Sequence, residues 1–135
     1  MKFAAVSHQF SNGVVVVNAT PHPLNFLDPN GERVVIPTSV PAGDRTGPAV
    51  INARPETQEV GPHLVRTVFR ASPEGEAIIS AIKAEMGTDV MIVGSLAAAN
   101  AYPEVVGMTP APGYERVPPA DKLMSADVFN VGDIW

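Results

Sequence analysis

The stretch VVVVNATPHPLNFLDPNGERVVIP, residues 14–37, contains two strand signals and the turns that separate them. The VVVV run is β-branched and follows the turn signal Asn12-Gly13, so it predicts a strand. Further along, Asp28-Pro29-Asn30-Gly31 matches a type I turn with proline at its second position and a glycine able to close a bulged hairpin. We therefore expect the flanks, Leu24–Leu27 and Arg33–Ile36, to pair antiparallel.

Downstream of the hairpin, strand and helix patterns alternate. Residues 49–60 and 64–70 have strand composition, and Gly61-Pro62 joins them. A helix is predicted over 73–86, because Ser72 is a good N-cap, proline follows at the first helical position and Gly87 can end the helix.

The rest of the chain predicts a buried strand, a short helix and two further strands. The continuous apolar run at 89–94 is typical of a strand covered on both faces. Ser95 then caps the short helix LAAANAY, and strands are expected around VVGM and LMSADVF.

Together these elements predict one α+β domain over residues 1–135. We expect a mostly antiparallel sheet, beginning with an N-terminal meander, with one or two packed helices and proline-rich edge loops at 37–48 and 103–119. Strand 64–70, helix 73–86 and strand 89–94 would form a right-handed crossover unit with parallel or nearly adjacent strands.

The composition excludes several classes of protein. The formal net charge is −5 and the nine lysine and arginine residues are scattered, so no basic stripe for duplex nucleic acid is visible. Folding could still gather Arg54, Arg66 and Arg70 on one face, which leaves small anionic ligands open. The absence of cysteine excludes disulfides, zinc–thiolate sites and cysteine nucleophiles.

The distribution of apolar residues favours a cytoplasmic protein. No apolar run approaches the roughly 18–20 residues that a membrane span needs. The first residues also lack the apolar core of a signal peptide. We therefore expect no contact with a membrane.

His22 is the most informative single position, because it lies between two prolines where one apolar strand ends and another begins. Pro23 disfavours helical backbone at His22, and neither proline can donate to a strand ladder, so the segment is expected at a sheet margin. Two interpretations stay open. The imidazole could bond a nearby carbonyl in a rigid corner, or it could be a preorganised ligand contact or general base.

A second candidate site is Gly94-Ser95, where a strand passes into a helix. Free amide groups at a helix start can hold phosphate or carboxylate, although simple capping is the alternative. With the nearby basic residues, the predicted ligand-binding set is Thr20, His22, Arg66, Arg70, Gly94 and Ser95. The three histidines have no metal-site spacing, and we predict neither a metal nor a cofactor.

At Asn18-Ala19-Thr20-Pro21-His22-Pro23 the chain resembles a set of small, uncharacterised bacterial and bacteriophage proteins that carry Asn-Leu-Thr-Pro-His-Pro after an apolar strand. Their apolar-Asp-x-x-Gly hairpin is matched here by LNFLDPNG, and their strand leading into Ser-x-x-x-Ala by MIVGSLAAANAYP. The resemblance implies a phage or prophage-linked setting, hence the host cytoplasm, and a common fold. It implies no established activity.

Three functions are compatible with these patterns, in decreasing order of support. The first is a non-catalytic binding protein, expected to be a homo-oligomer, that holds a small anionic or nucleotide-like ligand. The second is a virion component or an inhibitor of a host protein, acting through the proline-rich loops and the apolar C-terminal pair Ile134-Trp135. The third is an enzyme that uses His22 in phosphodiester chemistry. No catalytic motif favours the enzyme.

Overall fold

The computed structural model describes residues 7–20, 22–37 and 51–131. Pro21, residues 38–48 of the loop predicted at 37–48 and the terminal pair Ile134-Trp135 lie outside these residues. In chain order the elements are β1 (Ser7–Gln9), β2 (Val15–Asn18), β3 (Leu24–Leu27), β4 (Arg33–Ile36), β5 (Arg54–Gly61), β6 (Leu64–Arg70), α1 (Pro73–Met86), β7 (Val90–Val93), α2 (Leu96–Ala101), β8 (Val105–Pro110), a 3-10 turn (Pro119–Asp121) and β9 (Met124–Val131).

Seven strands form one mixed sheet in the order β1-β2-β7-β8-β9-β3-β4. Three neighbouring pairs are antiparallel (β1-β2, β8-β9 and β3-β4) and three are parallel (β2-β7, β7-β8 and β9-β3). The chain is thus mixed α and β, as predicted, but the prediction of a mostly antiparallel sheet is wrong. The N-terminal meander is also wrong, because β2 pairs with β1 and β7 and is separated from β3 by three strands.

The expected crossover unit is a second correction. β6 pairs only with β5, in a separate two-stranded sheet, so β6 and β7 do not belong to one sheet. The parallel neighbours of β7 are β2 and β8. The long right-handed connection assumed between residues 64 and 94 therefore does not link two strands of the main sheet.

The main sheet curls until its two ends meet. The ring of Phe10, which follows β1, packs edge-on against Phe26 of β3 with centroids 5.3 Å apart. At the other end of the strands, the side-chain amide of Asn18 donates to the carbonyl of Ile36 across 3.1 Å. These contacts join strands that are far apart in the sheet order, so the inner face of the sheet encloses an apolar core.

Alternate residues of β2 and β7 point into two different cores. Val16 and Val93 face the inside of the curled sheet together with Phe10 and Phe26. Val17 and Ile92 face the opposite side, where α1 and α2 cover them. Both faces are therefore buried, which explains why these strands are continuous apolar runs without polar alternation.

Helix α1 has the predicted bounds because both of its ends are specified locally. The Ser72 hydroxyl accepts the amide of Gly75, and Gly87 ends the helix with φ of 84°. The start of α1 lies against Tyr102, which follows α2. A Cβ atom on Gly75 would come within 2.1 Å of the Tyr102 hydroxyl, so only glycine allows this close approach. None of the described helices is long and apolar enough to cross a membrane.

The predicted hairpin between β3 and β4 is confirmed, and its turn has a second role. Gly31 has φ of 93°, and its amide donates to the carbonyl of Asp28. The buried Asp28 carboxylate accepts hydrogen bonds from the backbone amide and hydroxyl of Ser11 and from the Asn30 amide. Burial by itself raises the pKa of Asp28, but these hydrogen bonds outweigh it and lower that pKa below its ordinary value. Asp28 thereby ties the turn after β1 to the turn after β3.

Candidate functional site

The parallel pairing of β2 with β7 brings two predicted site segments to one edge of the sheet. Asn18 lies opposite Val93 in the register, and the Ala19 amide donates to the Val93 carbonyl across 2.9 Å. Because parallel strands end on the same side, the residues that follow β2 and β7 emerge next to each other. Thr20 and His22 therefore lie beside Gly94 and Ser95.

A cleft of about 550 Å³ opens at this edge, which is within the range of small-molecule sites. Its wall combines aliphatic and methionine side chains with two amides, two hydroxyls and one imidazole. The lining residues are Ala19, Thr20, His22, Leu24, Ile51, Asn52, Gly94, Ser95, Leu96, Gly107, Met108, Met124 and Asn130. Four of the six predicted ligand-binding residues are among them.

Asn18, which the sequence analysis did not single out, organises the floor of this edge. Its fully buried side-chain amide donates to the carbonyls of His22, Ile36 and Pro37 across 2.9, 3.1 and 3.1 Å. Its oxygen accepts from the amide and the hydroxyl of Thr20 across 2.9 and 2.7 Å. One side chain thus holds the end of β2, the His22 corner and the end of β4 together. We name Asn18, Thr20 and the His22 backbone the closing corner.

Thr20 takes part in the closing corner as a structural residue. Its single hydroxyl hydrogen is shared between the Asn18 side-chain oxygen, at 2.7 Å, and the carbonyl of His22, at 2.9 Å, and its oxygen accepts the His22 amide across 3.3 Å. Thr20 is 7% exposed, so only the edge of its side chain reaches the cleft. Only the exposed part of the Thr20 side chain could contact a ligand, because its hydroxyl forms hydrogen bonds within the protein.

His22 has a fixed backbone and an exposed ring. The carbonyl accepts from Asn18 and Thr20, as expected of a rigid corner. The ring, however, forms no hydrogen bond or ion pair with any residue that the structure describes, and it lines the cleft. In the part of the wall formed by described residues, it is the one titratable side chain.

Gly94 and Ser95 form a wall of the cleft, and local packing accounts for both. The Gly94 amide donates to the Val106 carbonyl across 3.0 Å, so it is occupied within the sheet. A Cβ atom on Gly94 would lie 2.7 Å from a methyl group of Val105, which explains the glycine by close packing. The Ser95 hydroxyl accepts the Ala98 amide across 3.1 Å and caps α2, which is the capping alternative considered above.

Arg66 and Arg70 do not line the cleft. Both belong to β6, in the β5–β6 hairpin (Arg54–Arg70), which we name the arm. Arg70 forms an ion pair with Glu56 at 3.6 Å, and both side chains are more than half exposed. The structure therefore divides the predicted site residues into a cleft group and an arm group.

Sequence patterns did not point to several residues of the cleft. Met108 and Met124 lie in the strands expected around VVGM and LMSADVF, but nothing in their spacing indicates a shared cavity. Leu96 is 65% exposed at the rim although it opens α2. A signal did exist for Asn18, because a polar residue directly after a buried valine run must have its hydrogen bonds satisfied by the protein.

Comparison with models of known protein families, with curated proteins and with solved structures finds no match for this chain. What the cleft binds therefore has to be inferred from its own side chains. The described residues also include no group of three or more acidic or histidine side chains that could hold a metal ion. The cleft offers apolar contact area, amide hydrogen bonds and one imidazole.

Proposed function

We propose that the protein is a non-catalytic binding protein whose cleft holds a nucleotide-like ligand with a single negative charge. The observation that carries the proposal is the cleft beside the closing corner, where an imidazole on a fixed backbone, with no hydrogen-bond partner among the described residues, lies opposite apolar side chains. A rigid backbone lowers the entropic cost of ordering the site when a ligand binds.

The chemistry of the wall suits a base and a sugar. Met108, Met124 and Leu96 offer adaptable apolar surface for the flat faces of a base. The amides of Asn52 and Asn130 can both donate and accept hydrogen bonds, as the edges of a base require. A ligand with these two properties would bury most of its surface in a cleft of this volume.

The charge of the wall limits the charge of the ligand. His22 is the one side chain of the described wall that can become cationic, and no lysine or arginine joins it. A phosphate monoester carries about −1.5 to −2 at pH 7, which one imidazole cannot balance. A phosphodiester has one charge only, so a cyclic mononucleotide is the better probe.

Catalysis has less support than binding. An enzyme acting on phosphodiesters through His22 needs a second polar group, able to donate or accept a proton, within reach of the same reacting atoms. In the described wall, no second titratable side chain accompanies the imidazole. We therefore keep the His22-dependent phosphodiester enzyme as the third possibility.

The biological setting is part of the same proposal. The Asn-x-Thr-Pro-His-Pro motif resembles that of small bacterial and bacteriophage proteins, so we propose a phage or prophage-linked protein acting in the cytoplasm. The motif has a physical meaning in this chain, because its asparagine and threonine form the closing corner and its histidine reaches the cleft.

Calorimetric titration with adenosine, 3′,5′-cyclic AMP and AMP tests the proposal. We expect cyclic AMP to bind more tightly than AMP, because it has one negative charge. Replacing His22→Ala should weaken cyclic AMP by about tenfold, the effect of one hydrogen bond to a charged group, and leave adenosine nearly unchanged. His63→Ala is the matched control, since His63 lies at the tip of the arm and not in the cleft.

Two results would contradict the proposal. If none of the three compounds binds at millimolar concentration, the nucleotide-like ligand is wrong. If cyclic AMP binds equally well to the His22→Ala protein, its phosphate does not contact this imidazole. Hydrolysis of cyclic AMP during the titration would favour the enzyme.

A second candidate function is contact with a protein, as a virion component or as an inhibitor of a host protein. The observation that favours it is the arm, whose tip presents apolar side chains to solvent. Capture of a stoichiometric partner from phage particles or infected cells would support this function.

A further inference from the structure

Most of the arm is exposed to solvent. It is a two-stranded antiparallel hairpin without a third strand among the described residues, and most of its side chains are exposed. At its tip, Val60, Leu64 and Val65 are 51, 62 and 64% exposed. β6 contacts α2, where Val68 and Phe69 are partly buried, but the tip has no such cover. Because a hairpin by itself is marginally stable in water, the exposed tip favours a further surface to pack on.

The arm and the rest of the chain have opposite charge. The arm contains three arginines and two glutamates, a net charge of +1, whereas the other residues of the chain contain six basic and twelve acidic side chains, a net charge of −6. The register pairs Arg54 with Arg70 and Gln58 with Arg66, so all three arginines occupy one face of the arm. Within the described part of the chain, only Arg70 has an ion-pair partner.

A groove beside the base of the arm is large enough for side chains of the tip, and its carboxylates are opposite in charge to the arginines of the arm. It lies between α1 and α2, begins at Ala71 directly after β6, and has a volume of about 290 Å³. A cavity of about 150 Å³ accommodates one large apolar side chain, so this groove has room for about two. Ile79 and Pro103 line it, and the carboxylates of Glu76 and Glu104 stand at its edge without an ion pair to another described residue.

We propose that the arm docks onto a second copy of this chain, with Leu64 in the groove between α1 and α2 and Arg66, which lies on the same face of the arm, facing Glu76 and Glu104. Two arms that lie antiparallel about a two-fold axis bring each tip to the base of the other arm, where the groove is located. The contact is therefore reciprocal and closes as a dimer. It is independent of the cleft and of any ligand there.

A second cavity with two carboxylates differs from the groove in how its charges are compensated. The cavity of about 360 Å³ lined by Leu27, Pro112 and Ala126 also has two carboxylates, those of Asp28 and Asp127. The Asp28 carboxylate, however, already accepts hydrogen bonds from Ser11 and Asn30. Its charge is thus compensated within one copy, whereas Glu76 and Glu104 remain available to an arginine.

The molar mass of the full chain in solution, measured by light scattering and sedimentation at micromolar concentration, tests the proposal. We expect a dimer that weakens as the salt concentration rises, because salt screens the arginine–glutamate attraction. The tip variant Leu64→Asp should raise the dissociation constant at least tenfold. Val35→Asp is the control, because Val35 on β4 is equally exposed, at 62%, but lies outside the arm.

Charge reversal identifies the groove itself. Arg66→Glu alone, or Glu76→Arg with Glu104→Arg, should weaken the dimer, and the three substitutions together should restore most of it. Circular dichroism checks that each variant is folded. A monomeric wild-type chain, a dimer that survives the tip substitution, or a triple variant that gains nothing over Arg66→Glu would each overturn the proposal.

Discussion

Strand β2 and the tip of the arm are both rich in branched aliphatic residues, but they lie in opposite surroundings. Val16 and Val17 are fully buried, one in each core, and Asn18 closes the strand with hydrogen bonds to two other segments, the His22 corner and the end of β4. Leu64 and Val65 have the same chemistry and are more than 60% exposed. The difference arises from neighbours, since β2 has a strand on each side and helices over one face, whereas β6 has β5 as its only paired strand and contacts α2 without being covered by it at the tip.

The composition of a strand does not specify whether the strand is buried. Branched aliphatic residues predict a strand in both regions, correctly, but burial depends on which elements cover the strand. Where the chain itself provides the cover, the strand stabilises the fold. Where it does not, the same residues stay exposed, and we propose that they form a surface for another molecule.

Removing the closing corner should have the largest effect on stability. Asn18→Ala removes the hydrogen bonds to the buried Ile36 carbonyl and from the Thr20 amide, so we expect a loss of about 3 kcal/mol in the free energy of unfolding. Chemical denaturation measures it. Asn25→Ala on the exposed side of β3 is the matched control and should change stability little. A loss below about 1 kcal/mol for Asn18→Ala would show that the corner does not hold the sheet closed.

The next largest effect on stability is expected from truncating a valine in each of the two regions. Val16→Ala removes two buried methyl groups and leaves a cavity, which should cost about 2 kcal/mol. Val65→Ala on the arm should stay within about 0.5 kcal/mol. Both are measured by denaturation in dilute solution, where association contributes least. Equal losses in the two variants would mean that the arm is packed on the body of its own chain.

A smaller effect concerns the turn of the arm. His63 has φ of 63°, a left-handed conformation that costs a residue with a side chain about 1 kcal/mol. His63→Gly removes this strain but adds chain entropy, for a net gain of about 0.5 kcal/mol. Amide hydrogen exchange of the arm should become about twofold slower. His63→Val should act in the opposite direction, and faster exchange in the glycine variant would refute the turn geometry.

The smallest effect depends on pH. The folded state lowers the pKa of Asp28, so its stabilisation is present above the unfolded value of about 3.9 and is lost as pH falls through the lower folded value. Asp28→Asn should therefore flatten the dependence of unfolding free energy on pH below about 4. Denaturation at several acidic pH values measures the slope, with Asp127→Asn as control. An unchanged slope in Asp28→Asn would mean that Ser11 does not favour the ionised carboxylate.

Local structure could be predicted from the sequence because local residues specify it. The β3–β4 turn, the bounds of α1 and the cap of α2 depend on neighbours along the chain, and the structure has them where the patterns indicate. Strand pairing could not be predicted in this way. The pattern of β2 gives no indication of β7 as its neighbour, and the rule that consecutive strands lie together fails at β2 and β3.

The same limit applies to the candidate site. Thr20, His22, Gly94 and Ser95 were selected from separate motifs, and they meet because two parallel strands end side by side. Arg66 and Arg70 were added for their charge alone, and the pairing of β6 with β5 separates them from the cleft wall. Met108 and Met124 reach the cleft only through the order of β8 and β9 in the sheet.

Hydrogen exchange of the full chain, with and without 3′,5′-cyclic AMP, tests most directly the claim that the cleft and the arm are separate surfaces. We predict added protection at the cleft, in segments 19–24, 94–96 and 107–108, and no change over residues 54–70. Protection that appears on the arm, at Arg66 and Arg70, with none beside His22 would contradict the account.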